Sequence, residues 1–158
     1  MSKDDKFNEC LEIGKGGEDL VYGYLRERNH YVDDNRRQRY EDGGGPRLLG
    51  TKGKTVLPDF TVYNIGGDSY ALDVKVKNKV YLIDGKFYFT VDNKYEDYLR
   101  AVQIKRLDYL AFIFIYKEKM YFYKDVDLAR THQYNNDYSD GLVYCFGLHF
   151  CRLELELV

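Results

Sequence analysis

The sequence predicts an α/β fold in which a mixed central β-sheet is flanked by helices and extended by added β-hairpins. Three observations predict this class. Helical periodicity occurs near the N-terminus, strand-like segments alternate with short turn signals, and a second helical segment lies between strands. A helix between strands can form the crossover that a parallel pair requires, so at least one crossover is expected. The same order of elements leaves an α+β arrangement open.

The first helical segment covers about residues 7–28. Apolar residues recur at helical spacing in its second half, and charged residues surround them. Gly14, Gly16 and Gly17 interrupt the pattern, and glycine is a poor helix former. The sequence therefore predicts a short helix, a break at these glycines, and a longer helix after the break.

The remaining elements follow a polar segment at residues 33–53, which is basic and rich in glycine. Long segments of this composition form mobile, functional loops, and we expect one here. The predicted strands cover residues 55–63, 69–77, 80–83, 86–91, 109–116, 120–123 and 142–158, and the second predicted helix covers residues 95–107. Residues 125–140 show no regular pattern and are expected to be irregular.

Composition limits the class of protein. A chain of 158 residues is the usual size of one domain, so residues 1–158 are expected to form a single domain. The chain is 44% apolar and 32% charged, which excludes a disordered protein. Three cysteines without CxxC spacing argue against a disulfide framework and for a reducing compartment. Because no apolar run is long enough to form a signal or a membrane span, we expect a cytoplasmic protein without membrane contact.

The charge is unevenly distributed along the chain, although the net charge is only -2. Residues 36–54 carry six basic and two acidic side chains, whereas residues 125–158 carry six acidic and two basic ones. A nucleic-acid partner is therefore not excluded, because the location of the charge matters more than its sum. The basic side chains of the first segment are Arg36, Arg37, Arg39, Arg47, Lys52 and Lys54.

Side chains suited to phosphodiester chemistry occur in two neighbouring predicted strands. Strand alternation places Asp73, Lys75 and Lys77 on one face. Asp59 reaches the same face if its strand pairs with the next one across the turn at residues 64–68. Two carboxylates held close together repel unless a cation lies between them, and Mg²⁺ prefers such oxygen ligands. The spacing therefore predicts a magnesium site.

Lys75 would place a positive charge next to that metal. This arrangement suits a phosphodiester, because its transition state gains negative charge, and a bound metal lowers the pKa of an attacking water. The Asp-x-Lys pattern is nevertheless short and common. A surface ion pair between Asp73 and Lys75 explains it equally well.

Four parts of the sequence, in one order, resemble the PD-(D/E)XK nuclease superfamily and, within it, the Holliday junction resolvase-like endonucleases. They are Glu18 on the first helix before a basic loop, Pro58-Asp59 at a strand end, Asp73-Val74-Lys75 on the next strand, and Gln103 on a later helix. The resemblance covers about residues 14–115. It implies a restriction-endonuclease-like core and a magnesium-dependent endonuclease that acts on DNA, including branched or junction DNA.

The resemblance also implies metal ligands. Asp59 and Asp73 would bind Mg²⁺, for which Mn²⁺ substitutes. The main-chain carbonyl of Val74 would be a further ligand, and Glu18 would add a third carboxylate. Lys75 would stabilise the pentavalent transition state or orient the attacking water.

Two further expectations concern the substrate. By the resemblance, Gln103 steadies the site or the substrate phosphate. Seven basic residues are expected to contact nucleic acid: Arg36, Arg37, Arg39, Arg47, Lys52, Lys54 and Lys77. The chain departs from the family pattern in having Asp73 where glutamate is more frequent. It also has a hairpin inserted between Lys75 and Gln103, which affects the expected substrate subfamily.

Other readings stay open from the sequence. The same chemistry suits an RNA-cleaving enzyme, including a toxin that acts on transfer RNA, and a related fold can bind nucleic acid without cutting. A homodimer and a virus- or phage-encoded protein acting in the host cytoplasm are also open. Cys145, His149 and Cys151 match no common zinc spacing, so packing is the favoured role for them.

Overall fold

The computed structural model describes residues 2–28, 30–37, 45–92, 94–124, 130–135 and 140–156. Its two helices are α1 (Lys3–Glu27) and α2 (Lys94–Lys105). Its strands are β1 (Tyr31–Asp34), β2 (Arg47–Gly50), β3 (Gly53–Val56), β4 (Phe60–Tyr63), β5 (Ser69–Lys77), β6 (Tyr81–Ile83), β7 (Lys86–Val91), β8 (Tyr109–Tyr116), β9 (Lys119–Tyr123), β10 (Arg130–Asn135), β11 (Asp140–Gly147) and β12 (Arg152–Glu156). Short 3-10 helices occupy Asn35–Arg37 and Leu148–Phe150.

The central sheet has six strands in the order β1-β4-β5-β8-β9-β12. Its β5 and β8 strands are parallel, and its other neighbours are antiparallel. Because α2 lies in the connection between β5 and β8, the predicted α/β class with a mixed sheet and a crossover helix is confirmed. A four-stranded sheet, β10-β11-β7-β6, and the β2-β3 pair complete the described strands. In the part of the chain that the structure describes, neither helix combines the length and apolar composition that crossing a bilayer requires.

The central sheet separates two hydrophobic cores. On β5, Leu72 and Val74 pack in the core that contains Val21 and Leu25 of α1. Ala71 packs in the opposite core, together with aromatic residues of α2, β7, β8 and β11. Side-chain alternation along β5 therefore directs the odd-numbered residues 71–77 toward the α2 side, as the sequence predicts.

The helix α1 is continuous through all three glycines, so the predicted break is wrong. A capping box between Ser2 and Asp5 starts the helix. Each glycine costs a helix roughly 1 kcal/mol relative to alanine. Burial of Val21 and Leu25 stabilises the helix through tertiary packing, which outweighs intrinsic propensity. Gly17 allows a close approach, because a Cβ atom at this position would overlap the side chain of Val76 on β5.

The predicted strand at residues 55–63 is two strands in two different sheets. The chain leaves β3 before Pro58, which has no N–H to donate to a ladder, and enters the central sheet with β4. The Leu57 N–H donates instead to the Pro46 carbonyl over 2.9 Å. The predicted long loop is consequently wrong for residues 47–53, which form the β2-β3 hairpin, and for residues 33–37, which belong to β1 and a 3-10 helix, whereas residues 38–44 lie outside the described part.

The C-terminal third also differs from the sequence prediction. Strand β10 pairs with β11, although residues 130–135 were expected to be irregular. The predicted strand at residues 142–158 is divided between β11 and β12, which belong to different sheets. β10 and β11 pair as neighbours in sequence, and β11 in turn pairs with the sequence-distant β7, a contact that leaves little signal in the local sequence.

Two tight turns join β6 to β7 and β8 to β9. Asp84 and Gly85 have positive φ angles of 51° and 78°, and Lys117 and Glu118 have angles of 48° and 59°. Two consecutive positive φ angles are typical of the type I′ turn, whose twist matches that of the flanking strands. The β6-β7 hairpin is the insertion that the sequence places between β5 and α2.

Candidate active site

Asp59, Asp73 and Lys75 line one cleft of about 670 Å³. Helix α1 borders it with Glu18, and helix α2 borders it with Tyr98. The end of β3 and the segment before β4 form a further wall. The structure therefore brings together the three residues that the sequence predicts to share a site.

Two hydrogen bonds join Asp59 and β5. The register of β4 and β5 pairs Phe60 with Leu72, so Asp59 enters the sheet beside Asp73. The Asp59 N–H donates to Asp73 Oδ1 over 3.3 Å, and the Val74 N–H donates to Asp59 Oδ2 over 2.8 Å. These bonds fix both carboxylates where the antiparallel ladder ends.

Asn35 holds the segment that carries Asp59. Its side-chain amide donates to the Pro58 carbonyl over 3.0 Å, and its backbone N–H donates to the Asp59 carbonyl over 3.0 Å. Asn35 is buried, so these bonds are shielded from water. Sequence reasoning missed this residue, because it lies within the basic segment and no local pattern marks it.

The carboxylates interact strongly. Burial, the charge of Asp73, and the hydrogen bond and charge of Glu18 raise the pKa of Asp59 well above its usual value, although the Val74 N–H opposes this. Asp73 is buried, and its Oδ2 lies 3.0 Å from Lys75 Nζ in an ion pair. A second cation near the two carboxylates would lower the repulsion between them.

Lys75 is held as a cation. Burial alone would lower its pKa, but the charge of Asp73 opposes burial most strongly, and the pKa of Lys75 is raised. Its Nζ also lies 5.8 Å from the centre of the Tyr98 ring, within the range of a cation–π contact. Sequence reasoning missed Tyr98. It could have been found, because Tyr95 and Tyr98 form the apolar stripe of α2.

Glu18 reaches the site from α1 and is shared between two partners. Its carboxyl group interacts with Asp59 and raises the pKa of that group, and its Oε2 lies 3.6 Å from Arg36 Nη1. The position of Glu18 depends on the contact of Gly17 with β5, because Gly17 is the preceding residue. Gln103 is not brought into the cleft. It is exposed and lies off the Tyr95–Tyr98 stripe of α2.

Arg36 is engaged in an ion-pair network. Its Nε lies 2.9 Å from Asp34 Oδ1, and its Nη1 lies 2.9 Å from Asp19 Oδ1. Only 19% of its side chain is exposed, against 75% for Arg37. Arg36 thus joins α1 to β1, and a phosphate would have to compete with these carboxylates. Arg37 is the more exposed residue of the two, and is therefore the more accessible to a phosphate.

The other expected nucleic-acid contacts lie in three places. Lys52 and Lys54 are exposed on the β2-β3 hairpin, where Arg47 is half-buried. Lys77 lines the cleft, and burial together with the charge of Lys75 lowers its pKa to about 8. Arg39 lies outside the described residues.

Oxygen donors for a hard cation are present. Within the described residues, no group of three His, Cys, Asp or Glu side chains is arranged to hold a metal. A magnesium site here would therefore rest on Asp59 and Asp73, with the Val74 carbonyl and water as further ligands. The donor chemistry fits, because burial and the neighbouring charges of Asp73 and Glu18 raise the pKa of Asp59, and a bound cation would offset that negative charge.

The cysteines and His149 lie elsewhere. Cys145 is buried in β11, and His149 makes an edge contact with the Tyr88 ring at 5.8 Å. Cys151 Sγ donates to the Gly147 carbonyl over 3.4 Å, and burial raises the pKa of its thiol to about 12.

Comparison of the chain with protein-family models and with curated proteins found no match in either set.

Proposed function

We propose that this chain is a magnesium-dependent endonuclease of the PD-(D/E)XK type, and that residues 1–158 form its single domain around a restriction-endonuclease-like core. The supporting observation is the convergence of Asp59, Asp73 and Lys75 in one cleft, with Asp59 and β5 joined by hydrogen bonds of 3.3 and 2.8 Å. The proposed substrate is DNA, including branched or junction DNA, and the proposed place of action is the cytoplasm.

Asp59 and Asp73 are the proposed ligands of Mg²⁺. The bound ion would supply Lewis acidity and an activated water, which is the chemistry that phosphodiester hydrolysis requires. The carboxylates position the ion, because their hydrogen bonds to backbone N–H groups hold them in place. Glu18 lies close enough to Asp59 to add a water-mediated contact.

Lys75 is the proposed electrostatic partner of the transition state. Its raised pKa keeps the ammonium group charged at neutral pH, so it acts as a cation and not as a general base. The Asp73 carboxylate fixes the ammonium over 3.0 Å, which limits its reorganisation during the reaction. On the basic β2-β3 hairpin, Arg47 pairs with Val56, which lines the cleft.

A cleavage assay tests the proposal. Duplex, single-stranded, flap, four-way junction and transfer RNA substrates are incubated with Mg²⁺ or with EDTA. We expect cleavage of DNA substrates with Mg²⁺ and none with EDTA. Cleavage of transfer RNA alone would replace DNA by RNA as the substrate, and cleavage of no substrate would contradict the proposal.

Asp73→Asn provides the internal test of the metal site. Calorimetric titration with Mn²⁺ should show markedly weaker binding than for the wild type, and cleavage should be lost. Asp84→Asn is the matched control, because Asp84 is an exposed aspartate in the β6-β7 turn and does not line the cleft. Equal metal affinity of the wild type and Asp73→Asn would show that Asp73 does not bind the metal, and would contradict the proposed magnesium site.

A further inference from the structure

A second cleft of about 370 Å³ lies at the C-terminal end of α1, on the α1 side of the central sheet. It is bordered by the C-terminal end of α1, the turn between β4 and β5, and the first residues of β5, β8 and β12. Tyr70, near the start of β5, lines this cleft, whereas the candidate active site is lined by residues 73–77 at the other end of β5. The two clefts share no lining residue. The volume lies within the range of small-molecule sites, about 300–1,000 Å³.

Positive charge is concentrated at this second cleft. Arg28, Lys124 and Arg152 line it, and Asp68 is the one acidic residue among its lining residues in the described part of the chain. The chain as a whole carries a net charge of -2, so this concentration is local. A local excess of basic side chains around one concave surface attracts an anion.

Aromatic rings hold these cations at the wall. The guanidinium carbon of Arg28 lies 4.5 Å from the centre of the Tyr24 ring. Lys124 Nζ lies 4.6 Å from the centre of the Tyr109 ring. Arg152 makes the same kind of contact with Phe122 at 5.2 Å. Such contacts restrict the long side chains, so less conformational entropy is lost when they bind an anion.

The wall also offers apolar and polar contacts that a bare anion would not use. Tyr70 and Tyr109 stack with their ring centres 4.9 Å apart, and Phe122 meets Tyr70 edge-on at 6.1 Å. Asn64 lines the same cleft, and its buried Oδ1 accepts no hydrogen bond within the described residues. A flat heterocycle with amino or hydroxyl donors supplies both contacts, because it packs against aromatic groups and satisfies the amide oxygen.

We propose that the second cleft binds a nucleoside monophosphate unit. Arg28, Lys124 and Arg152 hold the phosphate, the aromatic wall holds the base, and Asn64 accepts a hydrogen bond from the base or the sugar. The unit is either a free nucleotide or the phosphorylated end of a nucleic-acid strand, which present the same chemistry. This site is independent of the metal chemistry of the first cleft.

Isothermal titration calorimetry in EDTA tests the site without divalent metal. The probes are AMP, adenosine, inorganic phosphate, and a short oligonucleotide with either a 5′-phosphate or a 5′-hydroxyl. We expect AMP to bind at least tenfold more tightly than adenosine or inorganic phosphate. Tighter binding of the 5′-phosphorylated oligonucleotide than of AMP identifies a strand end as the ligand, and the reverse order identifies a free nucleotide.

Lys124→Gln and Arg152→Gln should each weaken AMP binding by about tenfold, the loss expected for one charge-assisted contact. Lys117→Gln is the matched control, because Lys117 also lies over a tyrosine ring, at 5.2 Å from Tyr116, but does not line the cleft. Thermal melting by circular dichroism verifies that all three variants fold. The proposal is overturned if AMP does not bind, if inorganic phosphate binds as tightly as AMP, or if Lys117→Gln loses as much affinity as the other variants.

Discussion

Among single residues, the most specific prediction concerns the effect of Lys75 on the rate of cleavage. In Lys75→Ala, single-turnover cleavage should slow by on the order of a hundred- to a thousand-fold, the loss typical of one preorganised electrostatic contact. Substrate affinity should change far less, because the ammonium group meets charge that develops only in the transition state. Single-turnover kinetics together with binding titrations separate the two effects.

Lys79→Ala is the control for Lys75→Ala. Lys79 is exposed, lies beyond the end of β5, and does not line the cleft. Lys77→Ala should be weakened at most, since Lys77 lines the cleft but lies further along the strand. Cleavage by Lys75→Ala near the wild-type rate, with an unchanged circular dichroism spectrum, would contradict the proposed nuclease site.

The ion pair of Asp34 with Arg36 predicts a pH dependence of the free energy of unfolding. Burial opposes its ionisation, but hydrogen bonds and charge from Arg36 outweigh burial and hold the pKa of Asp34 below its usual value of 3.8. A lowered folded-state pKa stabilises the fold above the unfolded-state pKa, and the stabilisation is lost as the pH falls through the folded-state pKa. Asp34→Asn should therefore lower the free energy of unfolding at pH 7, and the difference from wild type should shrink below pH 4.

Urea unfolding at pH 7 and at pH 3 measures the difference in the free energy of unfolding between wild type and Asp34→Asn. The expected loss at pH 7 is about 1.5–3 kcal/mol, the range for a hydrogen bond to a charged group. Asp33→Asn is the control, because Asp33 is the exposed neighbour of Asp34 on β1. A difference that stays constant from pH 7 to pH 3 would show that the ion pair with Arg36 does not stabilise the fold.

At the scale of elements, the contact between α1 and β5 sets the position of Glu18. Gly16→Ala should raise the free energy of unfolding by about 1 kcal/mol, because alanine favours the helix and Gly16 faces open space. Gly17→Ala should lower it, because the new methyl group meets Val76 and Ile115. Denaturant unfolding of both variants measures the two effects.

The same pair of variants also tests the link to the site. Displacement of α1 by Gly17→Ala should weaken metal binding or cleavage through Glu18, whereas Gly16→Ala should leave both unchanged. Equal stability changes in the two variants would mean that α1 does not depend on close contact at Gly17.

At the scale of the whole molecule, the basic β2-β3 hairpin beside the cleft predicts a salt-dependent interaction. Lys52→Ala and Lys54→Ala should each lower the slope of log affinity against log salt by about one unit, the change expected when one phosphate contact is lost. Arg36→Ala should act mainly on stability, because Arg36 is engaged with Asp34 and Asp19.

Lys86→Ala is the control for these titrations, since Lys86 is an exposed lysine of the β6-β7 hairpin. Binding measured between about 50 and 200 mM salt covers the range in which phosphate contacts change affinity strongly. An unchanged slope in both hairpin variants would show that Lys52 and Lys54 of the β2-β3 hairpin do not contact the nucleic acid.

The sequence by itself determined features that depend on near neighbours along the chain. Alternation along β5 puts Asp73 and Lys75 on one face. The β6-β7 hairpin follows from Asp84-Gly85, since these residue types accept positive φ angles at low cost. The approach of Asp59 to Asp73 was also predictable, because a short turn fixes the pairing of the two strands that carry them.

Only the tertiary structure decided features that depend on residues distant in sequence. Local propensity favours a break in α1, but the buried contact with β5 keeps it continuous. Arg36 appears as a free cation in the sequence, yet Asp19, seventeen residues earlier, engages its guanidinium. Gln103 follows the expected motif but lies outside the cleft, because packing of Tyr95 and Tyr98 sets the rotation of α2. Local backbone preferences are small, so burial and pairing between distant segments determine the outcome wherever the two conflict.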